Sequence, residues 1–180
     1  EVVNWHIECG VGGVFVSGDN GESWALTAQS LARVTETAKR AAAGRVPVFA
    51  GTSAVTTRDT IALSIAAAEA GADGLGLQPQ SYLLSAKPSE IVARFEAVAK
   101  AAPLPVMVYN SPSRTGVNIT PDTLEMICGV CDVIGVKEAS GDFRHVTEVI
   151  RRFRDRFAVL VGAGHFIVPG LDLGAAGYLS

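Results

Sequence analysis

Short apolar runs rich in valine, leucine and phenylalanine alternate along this chain with longer stretches in which apolar side chains recur every three to four positions. A run of the first kind reads as a buried strand, and one of the second as an amphipathic helix packed against it. Strands are predicted over residues 13–17, 45–51, 73–77, 105–109, 132–137, 157–161 and 176–180. Between them, helices are predicted over 27–43, in the alanine-rich stretch that stops at Gly71, and behind Pro88 with Ile91, Val92, Phe95, Val98 and Ala99 on one face. Two more follow, one behind Thr120-Pro121 and one carrying Phe143, Val146, Val149, Ile150 and Phe153. The punctuation agrees, since threonine caps a helix, proline suits its first turn and glycine ends it. Val3 and Ile7 place a further helix at the start of the chain.

Successive strand–helix units with no hairpin signal between them leave two architectures, an open doubly wound sheet or a (β/α)8 barrel. No G-x-G-x-x-G turn follows the first strand, and Gly71, Gly74 and Gly76 stand in the wrong order for one. Polar residues gather after the strands, where a barrel brings them together on one rim. The expectation is one α/β domain over residues 1–180, a (β/α)8 TIM barrel whose first strand lies upstream of Glu1 and whose last helix lies beyond Ser180.

Composition narrows the function classes. With 48% of 180 residues hydrophobic, the chain can bury one sizeable core. A net charge of −3 without any basic run argues against a nucleic-acid partner. No apolar stretch has the length of a membrane span and no signal peptide opens the chain, so a cytoplasmic protein is expected. Cys9, Cys128 and Cys131 make too sparse a set for a disulfide framework. Cys128-Gly129-Val130-Cys131 has the spacing of a zinc or redox pair, but neither a second pair nor a suitably spaced histidine accompanies it, so it reads as structural. His6 and His145 show no metal spacing, and His165, after the sixth strand, reads as an ordinary polar rim residue.

Candidate chemistry begins with Lys137, which ends the apolar run Val133-Ile134-Gly135-Val136. Burial disfavours an ammonium and lowers its pKa, which is what a nucleophilic amine needs. Bringing a lysine to half-deprotonation at pH 7 requires about 4.6 kcal/mol, within reach of burial. By strand alternation Lys137, Gly135 and Val133 point into the barrel and Glu138 points away, with Gly135 leaving space beneath the amine. Tyr109 ends the preceding strand, so its phenol reaches the same mouth. Imine formation between an amine and a keto acid needs protons moved to and from the carbinolamine oxygen, and a phenol can do both.

The segments Val108-Tyr109-Asn110-Ser111-Pro112-Ser113-Arg114-Thr115-Gly116 and Ile134-Gly135-Val136-Lys137-Glu138-Ala139-Ser140-Gly141 resemble the dihydrodipicolinate synthase and N-acetylneuraminate lyase family, and the likeness spans the chain. That resemblance implies a (β/α)8 barrel with a C-terminal helical extension that this chain lacks. It also implies a homo-oligomer, usually a tetramer, and no metal or dissociable cofactor, because the substrate itself becomes the covalent imine. Lys137 would form the Schiff base with pyruvate or another 2-keto acid, with Tyr109 as acid and base. The loop Gly18-Asp19-Asn20-Gly21-Glu22 aligns with the family's glycine, threonine, threonine, glycine, glutamate loop, whose backbone N–H groups hold the keto-acid carboxylate. Arg114 would clamp a second carboxylate, and Leu179 would line the pyruvate pocket through its backbone.

Two positions depart from the family's pattern. In synthases the first threonine of the loop links two tyrosines, and here Asp19 stands there, able when ionised only to accept hydrogen bonds and to raise a neighbouring phenol's pKa. Pro79-Gln80-Ser81-Tyr82 stands where the family often has proline followed by two tyrosines, leaving Tyr82 as the substitute for the second. The function expected is a class I lyase or synthase that condenses pyruvate with aspartate semialdehyde. Asp19, Asn20 and Gln80 motivate a 2-keto-3-deoxy sugar-acid aldolase or dehydratase as the alternative, and the altered relay a non-catalytic keto-acid-binding homologue.

Overall fold

The computed structural model describes residues 1–82 and 85–180. Its strands are β1 (Val14–Val16), β2 (Val48–Gly51), β3 (Gly74–Leu77), β4 (Val106–Asn110), β5 (Val133–Glu138), β6 (Ala158–Val161) and β7 (Gly177–Tyr178). Each lies beside its sequence neighbour, and every pairing is parallel. The helices are α1 (Val2–Glu8), α2 (Ala28–Ala42), α3 (Thr57–Glu69), α4 (Pro88–Ala101), α5 (Pro112–Thr115), α6 (Pro121–Cys128), α7 (Phe143–Phe153) and α8 (Ile167–Asp172). This is the run of βα units expected of a TIM barrel, curled but open between β1 and β7. No helix among the described residues is long and apolar enough to cross a membrane.

The strand faces divide as their sequences require. Outward-pointing Leu75, Leu77, Val106, Val108, Val136, Val159 and Val161 pack with Leu31, Phe95, Leu124, Ile127, Ile150 and Phe153 of the helices in one core. Local signals start those helices. Thr27, Thr56 and Thr120 accept the N–H of the third residue on, and Asp142 accepts those of Arg144 and His145. On the inner face the rings of Phe15 and Phe49 lie over Gly76 and Gly74, where added Cβ atoms would come within 2.3 and 2.6 Å of them. Cys128 and Cys131 are half-buried at the far end of α6, and burial pushes the Cys131 thiol up to about 12.

Two expectations change. The β4–β5 register slips between Val106 and Met107, so that Val106 faces Val133 while Met107 faces Gly135. The extra residue is Ile134, and beyond it the alternation resets. Val133 therefore packs on the helix-covered core rather than inside the barrel. α5 and α8 were not expected from the pattern. Pro112 opens the first, and Pro169 and Gly170 interrupt any helical signal in the second.

Beyond the slip, β4 and β5 are locked by buried polar groups. Asn110 Nδ2 donates to Glu138 Oε2 and to Asn118 Oδ1, both at 2.8 Å, and Asn110 Oδ1 accepts the Ile119 N–H at 3.0 Å. Glu138, 1% exposed, also accepts the Ser140 N–H at 2.7 Å and faces His145 Nε2 at 3.3 Å. The Glu138 bond raises the His145 pKa above its ordinary value.

Two outcomes follow for stability. Asn110→Ala leaves the Ile119 N–H and the Glu138 carboxylate short of partners and should cost about 3 kcal/mol, read from urea unfolding. Because the folded pKa of His145 is raised, its ion pair contributes fully below the unfolded value of about 6.5 and is lost as pH rises through the folded value. The stability difference between wild type and His145→Gln should therefore shrink between weakly acidic and alkaline pH.

Candidate active site

Tyr109 and Lys137 are register partners on β4 and β5, and both point inward at the C-terminal strand ends. The Lys137 Nζ sits 4.1 Å from the centroid of the Tyr109 ring. Lys137 makes no ion pair with Glu138, whose side chain lies on the opposite face of the strand. Burial lowers the Lys137 pKa, and the charge of Asp19 opposes that effect without reversing it. Room for the side chain comes from Gly162 rather than Gly135. A Cβ on Gly162 would stand 3.2 Å from Lys137 Cε, whereas one on Gly135 would meet Ala158 and Met107.

Asp19 faces the pocket. Its Oδ2 accepts the Tyr109 hydroxyl at 3.0 Å, and Gln78 Nε2 donates to both carboxylate oxygens at 3.1 and 3.2 Å. Burial first, then the Asp19 charge and its hydrogen bond, push the Tyr109 phenol well above its ordinary value, with Ser111 and Arg114 pulling the other way. The turn that presents Asp19 is bracketed by Ser17 and Glu22, both in the left-handed region at φ 59° and 55°. Non-glycine residues hold that conformation at about 1–3 kcal/mol each, and they concentrate at functional sites. Inside the turn the N–H groups of Gly21 and Ser23 bond to the Gly18 carbonyl and that of Glu22 to the Asp19 carbonyl. Those of Asp19 and Asn20 meet no acceptor among the described residues, leaving two adjacent donors for an anion.

The remaining expected positions divide. Gly18 lines the recess between Asp19, Gln78 and Tyr109. Arg114 is exposed and lines a larger adjoining cleft of about 440 Å³ with Asp19, Gln78 and Ser81. The Leu179 N–H donates to Val161 at 3.1 Å, which keeps the chain after β7 alongside β6. The side chain of Asn20 is exposed, and Gly21 serves the turn through its backbone. Tyr82 is 88% exposed, and Ser81 rather than Tyr82 lines the cleft. Gln80 donates to the Glu90 carbonyl at the start of α4 and has no place in the cleft lining.

Sequence reasoning passed over three residues. Gln78 extends the inward series Gly74, Gly76 of β3, so alternation alone could have found it. Ser53 Oγ accepts the Gln78 N–H at 2.7 Å. Arg94 of α4, 3% exposed, donates to the carbonyls of Gln78 and Ala54 and to Thr60 Oγ1 at 3.3, 2.5 and 2.7 Å, tying together the loops that carry Gln78 and Ser53. With no carboxylate beside it among the described residues, burial lowers the Arg94 pKa to about 10.

Parallel strands ending in a half-buried lysine beside a phenol, with free backbone donors on the neighbouring loop, define a β/α-barrel protein with its site on the C-terminal rim. The chain belongs to the dihydrodipicolinate synthetase family, whose model matches residues 1–180. It is 38% identical to the 4-hydroxy-tetrahydrodipicolinate synthase of Syntrophus aciditrophicus over all of its length and 62% of the relative's. It is 40% identical to that of Heliobacterium modesticaldum, again over its full length and 60% of the relative's. Among solved structures it superposes on dihydrodipicolinate synthase from Aquifex aeolicus with a TM-score of 0.91 at 32% identity, covering 99% of this chain and 61% of that one. The same coverage and identity hold for a prophage protein of the family from E. coli K12, solved in complex with pyruvate, at a TM-score of 0.93. The chain thus spans about three fifths of the length of the relatives it matches.

Competitive labelling with an amine reagent across pH should show Lys137 titrating below the ordinary lysine value. Asp19→Asn removes the charge that favours the ammonium, so the Lys137 midpoint should fall further.

Proposed function

We propose that this chain carries the keto-acid site of a class I, Schiff-base-forming lyase or synthase, with Lys137 as the nucleophile. The observation that supports this best is an amine with a lowered pKa 4.1 Å above the ring of a proton-carrying phenol. The neutral amine attacks the C2 carbonyl of pyruvate, and the carbinolamine loses water as Tyr109 supplies a proton to the departing oxygen. The backbone N–H groups of Asp19 and Asn20 hold the pyruvate carboxylate. The protonated imine then draws the electron pair of a methyl C–H bond inward and gives a nucleophilic enamine.

For the second substrate we propose aspartate semialdehyde, with Arg114 at the cleft clamping its carboxylate. The family match and the names of the relatives support that choice. A 2-keto-3-deoxy sugar acid is the second reading. It gains from Asp19 and Gln78, which bring hydrogen-bonding groups into the cleft, and loses the support of Gln80, which is engaged elsewhere. The family reading also carries a homo-oligomer, and Trp24 and Tyr82 are among the exposed aromatic side chains that one could cover.

Borohydride added with pyruvate should attach a reduced adduct to Lys137, identified by peptide mass mapping. Lys137→Ala should abolish the adduct and Tyr109→Phe should slow its formation about 100-fold or more. A stable adduct elsewhere, or none, would remove the proposal. Turnover with aspartate semialdehyde against a 2-keto-3-deoxy sugar acid separates the two substrate readings.

A further inference from the structure

The Tyr109 phenol is buried beside a carboxylate, so a phenolate is not on hand to act as a base at neutral pH. A neutral phenol can still accept a proton if it gives up its own in the same step. Asp19 Oδ2 lies 3.0 Å from the phenol oxygen as the acceptor of that hydrogen bond, and the Gln78 amide fixes the carboxylate from the other side through both of its oxygens. Gln78 is itself held by Ser53 and Arg94. The carboxylate is therefore aimed at the phenol by a chain of contacts that runs back to α4.

We infer that Asp19 is the proton store of the site, taking the phenolic proton of Tyr109 when the phenol removes a proton from the substrate carbon next to the imine. The inference rests on the imine reading above. In the step, the methyl C–H bond breaks, its electron pair forms the C2–C3 double bond, and the C–N π pair moves onto nitrogen. The methyl proton goes to the Tyr109 oxygen and the Tyr109 proton goes to Asp19. One cation and one anion become a neutral enamine and a neutral carboxylic acid, so the step removes separated charge from a half-buried site. When the enamine attacks an aldehyde, the new alkoxide takes a proton from Tyr109, Tyr109 recovers one from Asp19, and the iminium is restored. A hydroxyl in this position can pass a proton onward, whereas a carboxylate can keep it until the second bond is made. The Asp19 side chain acts through Tyr109, while its backbone N–H serves the carboxylate.

Two measurements separate this inference from the reading beneath it. Borohydride trapping on Lys137 reports the imine, and tritium release from methyl-labelled pyruvate reports enamine formation. Asp19→Asn keeps an oxygen to accept the phenol's hydrogen bond but cannot take up its proton. Expected is trapping at least as fast as wild type, with tritium release down about 100-fold, and the same release defect in Asp19→Ser. A loss of tenfold or more upholds the store, and a smaller loss shows that Asp19 merely orients the phenol and overturns it. Failure of the wild type to trap pyruvate would instead overturn the imine reading and this inference with it. If neither variant traps, the wild type decides. A slower tritium release in deuterium oxide than in water is expected because the Tyr109 proton moves in that step, and equal rates would overturn the store.

Discussion

The register of β4 against β5 is the constraint on which the site depends. Parallel neighbours share a side, so one residue of slip would send either the amine or the phenol to the outer face. The chain contains such a slip, at Ile134, but places it before the site. Past that bulge Asn110 and Glu138 bond directly across the strands while Tyr109 and Lys137, one residue earlier on each, meet on the other face. The pair behind the sheet thus fixes the pair in front of it. A buried carboxylate with one partner removed is costly, so a slipped register would have to strand Glu138 as well as separate the reactive groups.

The same economy of contacts explains how an acidic residue sits in a site proposed to bind an acid. Asp19 turns its side chain to Gln78 and Tyr109 and leaves its own N–H, with that of Asn20, free on the turn. Side chain and backbone of one residue therefore offer opposite polarity. The charge opposes the lowering of the Lys137 pKa, and burial of the amine outweighs it. Bringing an anion near the amine favours the protonated imine once formed, even though it disfavours the free amine beforehand.

Much of this was legible in the sequence because the strands are short and end where their apolar runs end. Lys137 and Tyr109 follow from that alone, and Asp19 from its alignment with a carboxylate-binding loop. Gln78 was equally legible, since the alternation that turns Lys137 inward also turns Gly74, Gly76 and Gln78 inward. Gln80 drew attention instead because it occupies a motif position, and its amide donates to the Glu90 carbonyl of α4. Val133 could not be placed correctly, because a bulge is set by how two strands meet and leaves no mark in either one. The short helices α5 and α8 are likewise products of packing, since segments of that length do not hold a helix by propensity.

Glu138 shows where sequence reasoning stops for a different reason. Alternation turns Glu138 away from Lys137 but does not say what receives it, and it is buried and bonded to an asparagine one strand over, a backbone N–H two residues on and a histidine from α7. Asn110 and His145 are not visible from the local pattern, because they arrive on β4 and α7. The consequence for the amine is direct. Had Glu138 been available to Lys137, the ion pair would have raised the lysine's pKa, so the packing that sequesters Glu138 behind the sheet also lets burial lower it.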